Sequence, residues 1–177
     1  MDKKLTAAIF ATVFAITLTA CGGGSDSVAT TAEEGRALVE EVEEAVQASG
    51  GFDVPVVTPD MVSYTLSSPA NFTPGKFASG MLPDQVNQRF NLTVSNGSAA
   101  DLDLAVLIVK GSTTSGDCVD IFDGDNKMEG APTTPLAPGT TATFSWGLSC
   151  PGKASEDISV ILSNGETNVI EVNGKLA

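Results

Sequence analysis

Val86-Asn87-Gln88-Arg89-Phe90-Asn91-Leu92-Thr93-Val94-Ser95 is the stretch whose reading decides the fold. Val86, Phe90, Leu92 and Val94 share one parity; Asn87, Arg89, Asn91, Thr93 and Ser95 share the other, and Gln88 is the one polar exception. Side chains on a strand alternate between its two faces, so this pattern predicts a strand half buried against a core. Asn96-Gly97 follows at once as a turn signal.

The same grammar extends outward on both sides. Val62, Tyr64 and Leu66 alternate with Ser63, Thr65 and Ser67. Leu102 to Val109 is apolar on both parities after Asp103 and reads as a central strand. Ala142, Phe144, Trp146 and Leu148 oppose Thr143, Ser145 and Ser149, and Cys150 shares the inward parity of Trp146 and Leu148. Ile158, Val160 and Leu162 form another strand, Asn164-Gly165 turns the chain, and 168–173 closes the sheet. Short strands separated in this way predict a mainly β protein, an antiparallel β-sandwich over residues 50–177 with one face of each sheet in water.

The amino terminus follows a different logic. Met1-Asp2-Lys3-Lys4 is a short basic head, and Leu5 to Ala20 is uncharged. The run ends in Leu18-Thr19-Ala20-Cys21. A basic head, an apolar stretch and small residues before a cleavage point make a secretory signal over residues 1–20. The apolar run is also shorter than the roughly 20 residues of a bilayer-spanning helix. Leu-Thr-Ala-Cys resembles the lipobox of bacterial lipoproteins. That resemblance implies lipid attachment at Cys21, which becomes the first residue of the mature chain, and a place on the extracytoplasmic face of the cell membrane. Residues 21–30, rich in Gly and Ser, read as a lipidated flexible tether. An acidic amphipathic helix is expected over 31–49. Thr30 or Thr31 caps it, Leu38, Val42, Ala45 and Val46 form its stripe, and Ser49-Gly50-Gly51 ends it. Its six glutamates read as a solvated surface.

Charge and composition exclude whole classes. The chain of 177 residues carries 22 acidic and 9 basic residues, a net −13. Removing residues 1–20 takes Asp2, Lys3 and Lys4 away and leaves 157 residues at −14. Such a chain is repelled by nucleic acid. With no histidine, Ser-His and Cys-His nucleophile activation and histidine metal sites are out of reach. If Cys21 is acylated, Cys118 and Cys150 are the only cysteines left, and in an oxidising compartment they are expected to pair.

A wider resemblance rests on Asn87 to Leu104, NQRFNLTVSNGSAADLDL, and on Leu136 to Leu148, LAPGTTATFSWGL. These segments resemble a family of bacterial lipoproteins with an immunoglobulin-like domain. Its members carry a strand ending in Val-x-Asn, a Leu-x-Pro-Gly turn and an aromatic-rich strand. Here those are Val94-Ser95-Asn96, Leu136-Ala137-Pro138-Gly139 and Phe144-Ser145-Trp146. The resemblance covers residues 52–177 and implies an immunoglobulin-like sandwich outside the cytoplasm; it supplies no catalytic residues.

Asp117, Asp120, Asp123, Asp125, Asn126 and Glu129 make the one cluster with chemical potential. Calcium takes about six to eight oxygen ligands, which closely spaced carboxylates can supply. Asp123-Gly124-Asp125-Asn126 also reads as a plain hairpin turn. Asp101/Asp103 and Glu156/Asp157 sit at strand ends and read as solvated pairs. Trp146 and Tyr64 fall on parities assigned to the core, which leaves no ring platform for sugars. No cofactor, metal or catalytic residue is assigned. The expectation is a membrane-anchored, non-catalytic binding or scaffolding module that meets another cell-envelope protein. The alternative is a cation-dependent or carboxylate-based envelope hydrolase using the 117–129 loop.

Overall fold

A computed structural model describes residues 45–165 and 169–177. Among these residues the chain forms eleven strands in two sheets: β1 (Ala48–Gly51), β2 (Val56–Val57), β3 (Val62–Leu66), β4 (Ala70–Asn71), β5 (Val86–Asn96), β6 (Leu107–Thr113), β7 (Gly116–Asp117), β8 (Val119–Ile121), β9 (Thr141–Cys150), β10 (Asp157–Asn164) and β11 (Val169–Lys175). The first sheet runs β1-β11-β10-β6-β7; the second runs β2-β3-β5-β9-β8, with β4 also on β5. The pairing β3-β5-β9-β8 is that of the A, B, E and D strands of an immunoglobulin-like sandwich, and β6-β10-β11 is that of C, F and G. The protein is a mainly β, immunoglobulin-like β-sandwich.

β5 and β9 are the spine of the second sheet, paired from Val86↔Cys150 to Ser95↔Thr141. Their inward side chains Phe90, Leu92, Val94 and Leu148 meet Val160, Leu162, Ile170 and Val172 of the first sheet in one core. Each such side chain contributes about 1.5–3 kcal/mol on full burial. Phe52 packs on Phe90 with ring centroids 5.8 Å apart. Trp146 and Tyr64 are both buried, as their parity predicts.

Several expectations need correction. The expected helix over 31–49 lies up to residue 44 outside the described residues, but Ala48 and Ser49 belong to β1, not to a helix. β1 pairs parallel with β11 (Ala48↔Ile170), so the sandwich is not wholly antiparallel. The two glycines at the strand's end, Gly50 and Gly51, stay extended rather than stopping a helix.

The central strand expected over Leu102 to Val109 starts only at Leu107. Asp103 Oδ1 accepts from Ala105 N at 2.9 Å and caps a single 3-10 turn, Leu104–Val106, before β6. A side-chain oxygen competing for local N–H groups is the common way Asp interrupts a strand. β6 has sheet partners on both sides, yet Ile108 is 53% exposed, so only one face of the strand is covered.

Asn96-Gly97 does turn the chain, but toward the other sheet rather than into a hairpin. Asn96 Oδ1 accepts from Ser98 N at 3.0 Å, an Asx turn.

Candidate functional site

The acidic segment divides into side chains used by the fold and side chains left in solvent. Asp120 lies on β8 opposite Leu148, on the inward face. It accepts from Trp146 Nε1 at 3.0 Å. Burial pushes its carboxyl above the usual carboxylate range, and the indole bond partly opposes that. Phe144 meets the Trp146 ring edge-on at 6.5 Å.

Asp123 is only 2% exposed. Its Oδ2 accepts from Gly75 N at 2.7 Å and from Asn126 Nδ2 at 2.8 Å. These donors hold the carboxyl below its ordinary range, Gly75 contributing most. Its main chain exchanges two bonds of 2.9 Å with Met128, closing a loop around the 3-10 turn Gly124–Asn126. The hairpin-turn reading of Asp-Gly-Asp-Asn therefore describes this segment. Among the described residues no three His, Cys, Asp or Glu side chains gather to hold a metal ion. Asp117, Asp125 and Glu129 are exposed.

Of the second carboxylate pair, Glu156 is likewise held by the fold. Glu156 accepts from Thr114 Oγ1 at 2.5 Å, Ser115 Oγ at 2.7 Å and Lys153 N at 3.1 Å. Those donors, the Thr114 hydroxyl first, lower its carboxyl. Asp157 pairs with Lys175 at 2.7 Å in full solvent. Asp103 is spent on its cap.

Cys118 and Cys150 form a disulfide, with Cα atoms 4.2 Å apart. Cys118 sits where the chain leaves β7 in the first sheet for β8 in the second, and its N–H still bonds to Gly111 of β6 at 2.8 Å. The bridge thus ties the crossing point to the end of β9. Antibody domains place theirs between the B and F strands instead. Cys21 and the tether lie outside the described residues.

Periodicity gave no reading of the segment between β4 and β5. It lies along β8: Ser79 and Phe122 exchange bonds of 2.9 and 3.0 Å, and Leu82 N donates to Ser149 Oγ at 3.2 Å. Gly80, at φ +90°, lets it lie so close, since a side chain there would run into the Asp120 carbonyl. Pro74, Gly75, Gly80 and Pro83 are the only signals in the sequence, and they mark a loop without showing where it docks.

Open depressions also mark the surface of the described residues. One of about 560 Å³ lies over Ser112, Ser159 and Asn173 beside the Asp157–Lys175 pair. Another, about 350 Å³, lies between Pro59–Val62 and the Ser98–Leu102 turn and has Asp60 as its one carboxylate. Neither sets two carboxylates facing across a cleft.

No family model and no curated protein matches the chain. Among solved structures it is similar to an uncharacterized β-sandwich protein from Clostridium difficile: 10% identity, TM-score 0.45, over 74% of this chain and 96% of that one. A candidate lipoprotein from Bacillus subtilis is similar at 13% identity and TM-score 0.48, over 75% of this chain and 39% of that one. A secreted protein from Mycobacterium tuberculosis is similar at 15% identity and TM-score 0.48, over 70% of this chain and 95% of that one.

Proposed function

We propose that this protein is an envelope lipoprotein, held to the membrane through a lipid on Cys21, whose immunoglobulin-like domain is a non-catalytic binding or scaffolding module outside the cytoplasm. Leu18-Thr19-Ala20-Cys21 behind a basic, apolar leader is the observation that carries this reading. Two features support it. The Cys118–Cys150 disulfide fits an oxidising compartment. The carboxylates with perturbed acidity, Asp120, Asp123 and Glu156, have their lone pairs engaged by Trp146, by Gly75 and Asn126, and by Thr114 and Ser115. They act as tethers between loops and strands, which suits a rigid recognition scaffold.

Growth of producing cells with a labelled fatty acid tests the anchor. The wild-type chain takes up label and loses its leader, whereas Cys21→Ser takes up no label and keeps its leader. An unlabelled, water-soluble wild-type chain overturns the proposal.

A further inference from the structure

Arg89 is the one arginine among the described residues, and among them no carboxylate pairs with it. It stands on the outer side of β5, opposite in parity to the core residues Phe90 and Leu92. Its cross-strand neighbours are small: Ala70 of β4 on one side and Gly147 of β9 on the other. Met128 fills the space over Gly147, where a Cβ would stand 2.8 Å from its Sδ. Ala70 is exposed, so the face stays open from the β4 side.

One guanidinium proton, on Nη2, goes to Ser145 Oγ at 2.9 Å, and Ser145 Oγ donates in turn to Asn91 Oδ1 at 3.1 Å. Nε is buried and makes no hydrogen bond. Asn87, two residues back on the same strand face, has a buried Oδ1 that makes none either. Arginine is seldom buried unless paired, and a charged donor shut off from both water and acceptor is destabilising. Asp120, Asp123 and Glu156 are in the opposite condition, each with its donors inside the fold.

Resting on the binding-module reading above, we infer that Arg89 anchors a carboxylate-binding site on the outer face of the second sheet. Its ligand carries an N–H beside the carboxylate, as the carboxyl end of a peptide does. A guanidinium is a planar fork that matches a carboxylate, and Nε–H is the donor still lacking an acceptor. Asn87 Oδ1 is an acceptor, so it suits an N–H next to the carboxylate and not a further anionic oxygen. Charge works against phosphate. The net −13 of the chain repels any anion at long range, and a dianion roughly twice as strongly as a monoanion.

The test is an NMR titration of the ¹⁵N-labelled full chain in a neutral detergent, read at the arginine Nε–H signals. Arg36 and Arg89 are the only arginines, so Arg89→Lys assigns the signal. The probes are N-acetylglycine, its uncharged methylamide, acetate and inorganic phosphate at equal ionic strength. A saturable shift of the Arg89 signal with N-acetylglycine is expected, weaker with acetate and phosphate and absent with the methylamide. Read at the backbone amides of β5 and β9, Arg89→Lys and Arg89→Gln should bind N-acetylglycine at least about tenfold more weakly. Asn87→Ala, which keeps the charge, should bind N-acetylglycine no better than acetate. No saturable shift overturns the inference, as does an equal shift with the methylamide. Equal shifts with all three anions mean an adventitious ion only and overturn it too. Such failures leave the lipid anchor and the binding module standing, whereas a chain that takes up no fatty-acid label strikes those and leaves the titration intact.

Discussion

Asn96 reaches across 40 residues to Leu136: its Nδ2 donates to the Leu136 carbonyl at 2.7 Å. The same nitrogen donates to the Ala100 carbonyl at 2.8 Å, and the Asn96 main-chain carbonyl accepts from Gly139 N at 2.6 Å. Val94-Ser95-Asn96 and Leu136-Ala137-Pro138-Gly139, noticed in the sequence as separate motifs, are therefore two halves of one corner. Gly139, at φ +73°, supplies the left-handed turn that lets its N–H point back. Asn96→Ala takes one donor from each of two carbonyls, which keep Leu102 N and Ser98 Oγ, so the cost is that of the lost hydrogen bonds, about 0.5–1.5 kcal/mol each. The expected outcome is a lower urea midpoint with an unchanged slope. A midpoint equal to wild type would show that the corner closes without the amide.

How much of this was legible in the sequence depends on how far apart the partners are. The alternation of β5 announces its buried face at a glance, because each residue is judged against its neighbours two away. Gln88 breaks that alternation and is fully buried. Its Nε2 donates to Asn71 at 2.8 Å and its Oε1 accepts from Ala177 N at 3.0 Å, the latter from 89 residues along the chain. No local pattern announces such a partner. Ile108 fails in the opposite sense: an apolar residue predicts burial, but the outer face of β6 stays open. The acidic segment had two readings because the deciding contact, Gly75 to Asp123, comes from a loop whose course no periodicity encodes.

Gly111 makes room for the disulfide. A Cβ there would stand 2.7 Å from Leu148 Cδ1 and 3.1 Å from Cys118 Sγ, inside van der Waals contact. Gly111→Ala is expected to cost about 1–3 kcal/mol by overpacking. Removing the bridge through Cys118→Ala with Cys150→Ala is expected to cost about 3–4 kcal/mol on the chain-entropy model. Because Cys118 Sγ is one of the atoms in the way, the two changes should be less than additive in a double-mutant cycle. Strict additivity in thermal melts would refute the contact.

Asp120 and Asp123 should pull acid stability in opposite directions. Asp120 has its folded acidity raised by burial, so the folded state holds that proton more tightly than the unfolded chain. Its contribution is fully present below the unfolded value of about 3.9 and is lost as pH rises through the folded one. Asp123 is lowered by its donors, so its contribution is present above about 3.9 and is lost as pH falls through the folded value. Asp120→Asn, which keeps an acceptor for Trp146, is expected to flatten the decline on the upper side and to melt no lower than wild type at pH 7. Asp123→Asn should lose stability at pH 7, and the loss should shrink toward pH 3. Parallel melting-temperature curves for the two variants would contradict this assignment.

Tyr64 sits in the core with its ring 1% exposed. Its hydroxyl is buried without a hydrogen bond of good geometry, and so is Asn164 Oδ1 nearby in the other sheet. Burial pushes the phenol up to about 12, the Asn164 side chain pulling it down and the Asp60 charge adding to the rise. Because the folded value is raised, stability from this group is whole below about 10 and declines as pH climbs toward the folded value. Tyr64→Phe keeps the ring and deletes an unpaired hydroxyl, so it should match or exceed wild type by up to about 1 kcal/mol and lose that alkaline decline. Tyr64→Ala, which removes the ring from the core, should cost about 3–5 kcal/mol. Alkaline difference absorbance supplies the independent check. Phenolate should emerge only near the unfolding transition in wild type and not at all in Tyr64→Phe, since Tyr64 is the only tyrosine in the chain. Phenolate appearing near pH 10 in folded protein would mean that the hydroxyl meets water.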